Sequence, residues 1–346
     1  MKALAVSALG FEDISKKEIK DLLGKNAEVI EGGVVFKIDS KESLAKFTYT
    51  TQSSIRVIKL LEKFDFLKSK KFCIEAIKVN TDKSSSDMIE ELKEKILSNV
   101  KAKFTYSEPD YTLILFMNSK ETYIGLDYSG FDLSKRDYNL FPNKFGVRGN
   151  IAYCLLMYGE YSPKDVLVDP FCKNGPILIE AACFASKKSI NYYQKDKFAF
   201  NNFLKYEFKD QEQKPKAKIY ALDPEMTCIN ATRKNAKIAG VNKYIILSRK
   251  EADWIDLKFQ KESVDKVITV LPLFTKLGEK KAAKQVNEFL NRSQQILKKD
   301  SIVTILTNNK EKFLEILEQY QYKVIDEREI WTGKEKKFSL KLQQNL

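Results

Sequence analysis

The chain has no histidine among its 346 residues. That excludes every mechanism that needs an imidazole as base, proton shuttle or metal ligand. Any chemistry must rest on carboxylates, backbone groups or a reactive cofactor. Cysteine is sparse as well. Cys73, Cys154, Cys172, Cys183 and Cys228 stand apart, and none forms a CxxC pair. No zinc site is therefore expected. Scattered thiols suit a reducing cytosol, where they serve as small buried hydrophobes, so a cytoplasmic location is expected. Apolar runs such as "IAYCLLMYG" are far shorter than the ~20 residues of a bilayer span. The opening "MKALAVSALGFEDISKKE" lacks the layout of a signal peptide and reads as the start of a folded domain. There is no G-x-G-x-x-G, which favours a small adenosine cofactor over a dinucleotide.

What is present points to a basic, folded, multidomain chain. A hydrophobic content of 43% with 12% aromatics excludes a mainly disordered protein, and the length allows two or three cores. Sixty Lys and Arg against 47 Asp and Glu leave a net charge of +13. A polyanionic partner follows, nucleic acid before membrane, unless lysine simply covers every solvated face.

The first sixty residues read as a β-α-β-β-α-β unit. Strand "MKALAVSAL" leads to an amphipathic helix closed by Gly24, with Ile19, Leu22 and Leu23 at helical spacing. A hairpin turns at Gly32-Gly33, then helix "SKESLAKFTYTT" and strand "SIRVIKLLEKF" complete the unit. A second unit follows with strand "KKFCIEAIKV", a helix presenting Ile89, Leu92, Ile96 and Val100, and strands "YTLILFMN" and "ETYIGLDYS". From about residue 146, strand–helix alternation signals a parallel sheet. Its strands are "DVLVD", "AKIYALD", "YIILS", "DKVITVL" and "SIVTILT", with helices starting near Pro176, Glu225, Lys281 and Asn309. "YKVIDEREIW" and "KKFSLKLQQ" read as an antiparallel pair at the sheet edge. Residues 186 to 215, aromatic and then charged, read as a helical excursion and a loop.

In such a sheet, ligands sit beyond the carboxyl ends of the strands. Asp169 ends the first strand, and Gly175 lies in the turn after it. Asp223 ends the second, where an acid accepts ribose hydroxyls; Asp253, after the third, is a candidate acceptor for an adenine amine. Each acid has an ordinary alternative as a helix N-cap, and Pro224 suits a first helical position. Their ordered placement at successive strand ends is what favours a site.

"DPFCKNGPILIEAA" resembles the DPFCGSGTILIEAA motif of THUMP-containing RNA guanine-N2 methyltransferases, which use S-adenosylmethionine. "ALDPEMTCINATRKNAKIAGV" is similar to their second motif. "SEPDYTLILFMNSKETYIGLDYSGFDLSKRDYNLF" resembles the end of a THUMP domain, and "SALGFEDISKKEIKDLLG" the opening of the ferredoxin-like domain. The resemblance extends over essentially the whole chain, and its motifs are specific only jointly. It implies a ferredoxin-like domain at 1–63, a THUMP RNA-binding domain at 64–140 and a Rossmann-like methyltransferase domain at 141–346. The fold class it implies is α/β, with two α+β domains ahead of the Rossmann-like sheet. It also implies an RNA partner, tRNA first, and S-adenosylmethionine held by Asp169, Phe171, Lys173, Gly175, Asp223 and Asp253. Lys135 and Arg136 are candidate phosphate contacts, and Lys276, Lys280, Lys281 and Lys284 could clamp the substrate backbone; an ordinary solvated surface is the alternative for both sets.

Two positions depart from the family pattern. The fourth motif, N/D-P-P-Y/F, accepts the two N–H bonds of a weakly nucleophilic guanine amine and stacks an aromatic ring on the base. Here it reads Leu271-Pro272-Leu273-Phe274. Phe274 keeps a stacking surface, but Leu271 cannot accept a hydrogen bond, a loss of about 3 kcal/mol, or about a hundredfold in rate. In the first motif Lys173 stands where the family has glycine, which sets a positive charge against the cofactor's sulfonium unless the side chain turns away, and Pro176 replaces threonine. Two functions therefore stay open at this point: an active methyltransferase acting on an exocyclic base amine, or an inactive RNA-binding relative or subunit that needs a partner.

Overall fold

The computed structural model describes residues 1–333 and 335–345. They fall into two compact units, Met1–Leu133 with Gln194–Lys209, and Ser134–Tyr193 with Asp210–Leu346.

The first unit follows the period-2 and period-3.6 patterns of its sequence. Its elements are β1 (Lys2–Val6), α1 (Glu12–Leu23), β2 (Ala27–Ile30), β3 (Gly33–Lys37), α2 (Lys41–Thr50), β4 (Arg56–Leu60), β5 (Lys71–Lys78), α3 (Ser85–Asn99), β6 (Lys103–Phe104), β7 (Tyr111–Met117) and β8 (Thr122–Asp127). Gly24 ends α1 in the left-handed conformation, and the Ser40 side chain caps α2 by accepting from the Ser43 N–H. The strands form one eight-stranded sheet in the order β2-β3-β1-β4-β8-β7-β5-β6. β4 pairs antiparallel with β1 on one side and with β8 on the other, so the expected boundary at residue 63 falls inside a continuous sheet. The strand imperfectly alternating at Tyr111–Met117 is buried from Leu113 to Met117, as a strand covered on both faces should be.

Of the excursion at 186–215, Gln194–Lys209 belongs to this same unit. Phe198 and Phe200 are fully buried in its core and stack at 5.0 Å with 14° between ring planes. Tyr49 of α2 packs edge-on against Phe198 at 6.1 Å, and Phe208 adds a further ring at 4.8 Å from Tyr49. Each buried ring contributes roughly 1.5–3 kcal/mol relative to exposure. The aromatic run is therefore core, supplied from a distant part of the sequence.

The second unit contains α4 (Gly149–Tyr158), β9 (Leu167–Asp169), α5 (Pro176–Ser186), β10 (Ile219–Asp223), α6 (Met226–Ile238), β11 (Ile245–Arg249), β12 (Val264–Val270), α7 (Glu279–Ile296), β13 (Leu297–Thr307), α8 (Lys310–Leu317), β14 (Tyr322–Thr332) and β15 (Glu335–Gln344). The sheet order is β11-β10-β9-β12-β13-β15-β14. Pairing is parallel from β11 through β13, and β15 and β14 close the edge antiparallel. β9 sits centrally, with β10 to one side and β12 to the other. The chain order reverses between β9 and β12, which makes that crevice the topological switch point. Helices α4 and α5 are apolar nearly all round and almost wholly buried, whereas α7 buries one stripe (Ala282, Val286, Phe289, Leu290, Ser293, Ile296). Among the described residues no helix is long and apolar enough to cross a membrane.

Candidate functional site

The turn between β9 and α5 is wound tightly enough to demand left-handed backbone. Lys173 has φ 53° and Gly175 φ 86°. A Cβ on Gly175 would lie 2.5 Å from Thr232 Cγ2, so glycine is required there by contact as well as by conformation. Lys173 takes the same hand with a full side chain, an arrangement that costs a non-glycine residue of order 1 kcal/mol. Hydrogen bonds hold the turn in this shape. The Cys172 N–H donates to Leu222 O (2.9 Å), the Lys173 N–H to Asp223 Oδ2 (2.9 Å), and the Thr232 hydroxyl to Lys173 O (3.1 Å). Pro176 then occupies the first turn of α5, where a missing N–H is harmless.

Asp223 ends β10 and lines a cleft of about 260 Å³. Its Oδ1 accepts from the Glu225 N–H at 2.9 Å, which leaves lone pairs on both oxygens for further donors. Burial raises its carboxyl pKa, partly offset by these main-chain donors. Phe171, Pro224, Pro272, Leu273 and Ala282 supply apolar wall. Asp223, the acid expected to accept ribose hydroxyls, thus lines the cleft at the end of β10.

Asp169 is placed differently from the expectation. It is 2% exposed and is not among the residues lining the cleft; its Oδ1 accepts from the Thr269 hydroxyl (2.6 Å) and the Phe171 N–H (3.1 Å). Burial pushes its carboxyl up to about 7, against the pull of those two donors. Asp253 does not line the cleft. Its carboxylate pairs with Arg292 Nε of α7 at 2.9 Å, so the adenine-amine role has no geometric support. The strand-end position was legible, but the cation opposite it was not.

The most consequential side chain is Lys173. It turns inward, is 8% exposed, and donates from Nζ to the Leu271 carbonyl at 3.2 Å. The amine thereby bridges from the β9 turn to the end of β12, across the switch-point crevice. Burial holds it down at about 8. Leu271 itself is fully buried, with its N–H on Leu306 O. Phe274 is 7% exposed in the core beside α7, and its main chain is held at both N–H and C=O by the Asn308 side chain. The ring expected to stack on a base is therefore turned inward; only Pro272 and Leu273 of that motif face the cleft.

The basic candidates also divide. Arg136 is buried and donates through Nε (2.8 Å) and a terminal nitrogen (3.1 Å) to the fully buried Glu180 of α5, whose carboxylate also accepts from Tyr138. The guanidinium expected to meet phosphate is thus turned onto a buried carboxylate. The exposed Lys135 lines a second, polar cavity of about 300 Å³ with Arg148, Asn139 and Asn174. Lys276, Lys280, Lys281 and Lys284 lie after β12; Lys281 is exposed and stands 3.6 Å from Glu225 at the cleft rim. Sequence reasoning passed over Asn143, Phe145 and Cys228, which also line the cleft. Cys228 lies on the first turn of α6, a helix that begins at a ligand-facing strand end, and that position was the available signal.

A sheet parallel from β11 through β13, with an acid at its second strand end and a cleft at its switch point, defines a Rossmann-like class of protein. Comparison with known proteins narrows it. The family described as "RMKL-like, methyltransferase domain" (UPF0020) matches residues 136–337, and the THUMP domain matches residues 56–127. The chain belongs to this methyltransferase family and carries a THUMP domain. It is 23% identical to the tRNA (guanine(6)-N2)-methyltransferase of Methanocaldococcus jannaschii, over 94% of this chain and 95% of that one. It is 21% identical to the protein of the same name from Archaeoglobus fulgidus, over 94% and 87%. In fold it is similar to TrmN from Thermus thermophilus (TM-score 0.75, 18% identity, 99% of both chains). It is also similar in fold to SMU.472, a putative methyltransferase crystallised with SAH (TM-score 0.76, 19% identity, 100% and 98%).

Proposed function

We propose that this chain is a tRNA-binding member of its family, holding an adenosyl ligand in the β9–β10–β12 cleft, with methyl transfer to an exocyclic guanine amine as the reaction its site descends from. The observation that carries this reading is co-linearity. The chain aligns with the tRNA (guanine(6)-N2)-methyltransferase of Methanocaldococcus jannaschii over nearly all of both chains, through its THUMP and methyltransferase regions in turn. The net charge of +13 supports a polyanionic partner.

The adenosine half of S-adenosylmethionine fits the residues present. Asp223 offers free lone pairs to ribose hydroxyls, and Phe171, Pro224 and Ala282 offer an apolar wall. When bound, the cofactor would supply an electrophilic methyl group. The charged end does not fit, because the Lys173 ammonium already occupies the crevice. The amine-accepting end is also altered: Leu271 has no side-chain acceptor, and its carbonyl is already bonded to Lys173. These two observations favour the second reading, an RNA-binding relative without efficient transfer.

The test is binding and transfer on one tRNA preparation. Affinity for tRNA should fall roughly a hundredfold or more between about 50 and 200 mM salt, as several phosphate contacts are lost. Absence of RNA binding at low salt would reject the reading. Incorporation of labelled methyl into guanine N2 at an ordinary enzymatic rate would reject the non-catalytic variant of it.

A further inference from the structure

The side chain of Lys173 sits where the parallel sheet divides. Its main-chain N–H is tied to Asp223 at the end of β10, and its Nζ is tied to the Leu271 carbonyl just beyond the end of β12. The cleft runs from Asp223 and Pro224 past Lys173 to Pro272 and Leu273, which leaves room for the 5′ substituent of a nucleoside whose ribose is held by Asp223 to extend from β10 toward the crevice between β9 and β12. That substituent arrives beside the Lys173 ammonium. We propose that Lys173 makes this cleft select uncharged adenosyl ligands, such as a thioether or a free nucleoside, and reject the sulfonium. The inference rests on the adenosyl-ligand reading above and specifies which member of that ligand class the cleft accepts.

The surroundings strengthen the effect. The ammonium is buried, so its field is poorly screened by water. Asp169, Asp223, Cys228 and Lys337 act on it. Asp169 carries only part of a charge near neutrality, since its carboxyl is pushed up to about 7, and its Oδ1 is taken by Thr269 and Phe171. Asp223 already accepts two main-chain N–H bonds. Cys228 is pushed up to about 11 and stays neutral. Lys337 adds to the positive field. With burial holding the Lys173 amine at about 8, it is mostly charged at about pH 6.5 and mostly neutral at about pH 9, so discrimination should fade as pH rises between them.

The experiment is calorimetric titration of the full chain with S-adenosylhomocysteine and with S-adenosylmethionine, on the unaltered protein, Lys173→Met and Lys173→Gly. Met keeps the stem and removes the charge; Gly removes both and relieves the left-handed backbone. The unaltered protein should favour the thioether, and this preference should shrink at least about tenfold in Lys173→Met at about pH 6.5. A preference unchanged in Lys173→Met, or equal binding of both ligands by the unaltered protein, overturns the inference and leaves the adenosyl reading standing. Recovery of sulfonium binding in Lys173→Gly but not in Lys173→Met also overturns it, since volume rather than charge would then be responsible. If neither ligand binds any of the three proteins, the adenosyl reading fails and the inference falls with it.

Discussion

Asp169 holds a carboxyl in a deeply buried position, where its hydrogen-bond donors are the neutral Thr269 hydroxyl and Phe171 N–H. Its folded pKa is raised to about 7, whereas in the unfolded chain it is near 3.9. Between about pH 4 and 7 the folded protein keeps a proton that the unfolded chain loses. The stability contribution is therefore fully present below about pH 4 and lost as pH rises through 7, an effect of about 4 kcal/mol. Asp169→Asn keeps the oxygen that accepts from Thr269 and Phe171 and removes the titration. Denaturant unfolding at about pH 4.5 and about pH 7.5 should show the variant gaining on the parent at the higher pH. An unchanged difference between the two pH values would mean Asp169 is ionised in the folded protein throughout. The position of this acid was legible in "VLVD", but its depth was not. Three residues of strand look the same whether the last side chain faces a cleft or the sheet interior. Lys173 was equally open: the sequence places a cation on the turn, but only the bond to Leu271 shows that it turns inward.

Among the elements, those with a polar face, or with a turn signal at their start such as Pro176 of the nearly wholly buried α5, were legible. Helices α1, α3 and α7 could be read from apolar stripes, and β14 with β15 from their length and position. Helix α4 went unassigned because all but one of its residues are buried, which leaves no periodicity to detect. What fixes the segment leading into α4 is the ion pair of Arg136 with Glu180 on α5. Gly149 makes room for it, since a Cβ there would stand 2.4 Å from Arg136 Nε. Arg136→Met would leave Glu180 charged and buried beside Tyr138, at a cost of about 3–5 kcal/mol. Thermal unfolding should register that loss, with low-salt tRNA affinity of the still-folded protein little changed. A collapse of RNA affinity without loss of stability would return Arg136 to a phosphate-contacting role.

At the scale of the whole molecule, the order of the units followed from the change of rhythm near residue 146, but the return of residues 194–209 to the first unit did not. Their aromatics are spaced irregularly, and nothing local to them names the core they enter. A fragment ending at residue 133 should lack Phe198, Phe200 and Phe208 and unfold at lower denaturant than the same unit within the full chain. Adding a peptide of residues 194–209 should recover part of the difference; a fragment as stable alone would show that the inserted rings are dispensable. The same threading sets a schedule on the ribosome. The first unit cannot close its core when its own contiguous residues have emerged, and must wait until residue 209 is made. At about 5–20 residues per second that is a delay of roughly 4–15 s. During it an eight-stranded sheet with an unfilled apolar face is open to whatever chaperones or other nascent chains it meets. The half-made polypeptide, more than the finished protein, is thus the form most prone to misassembly.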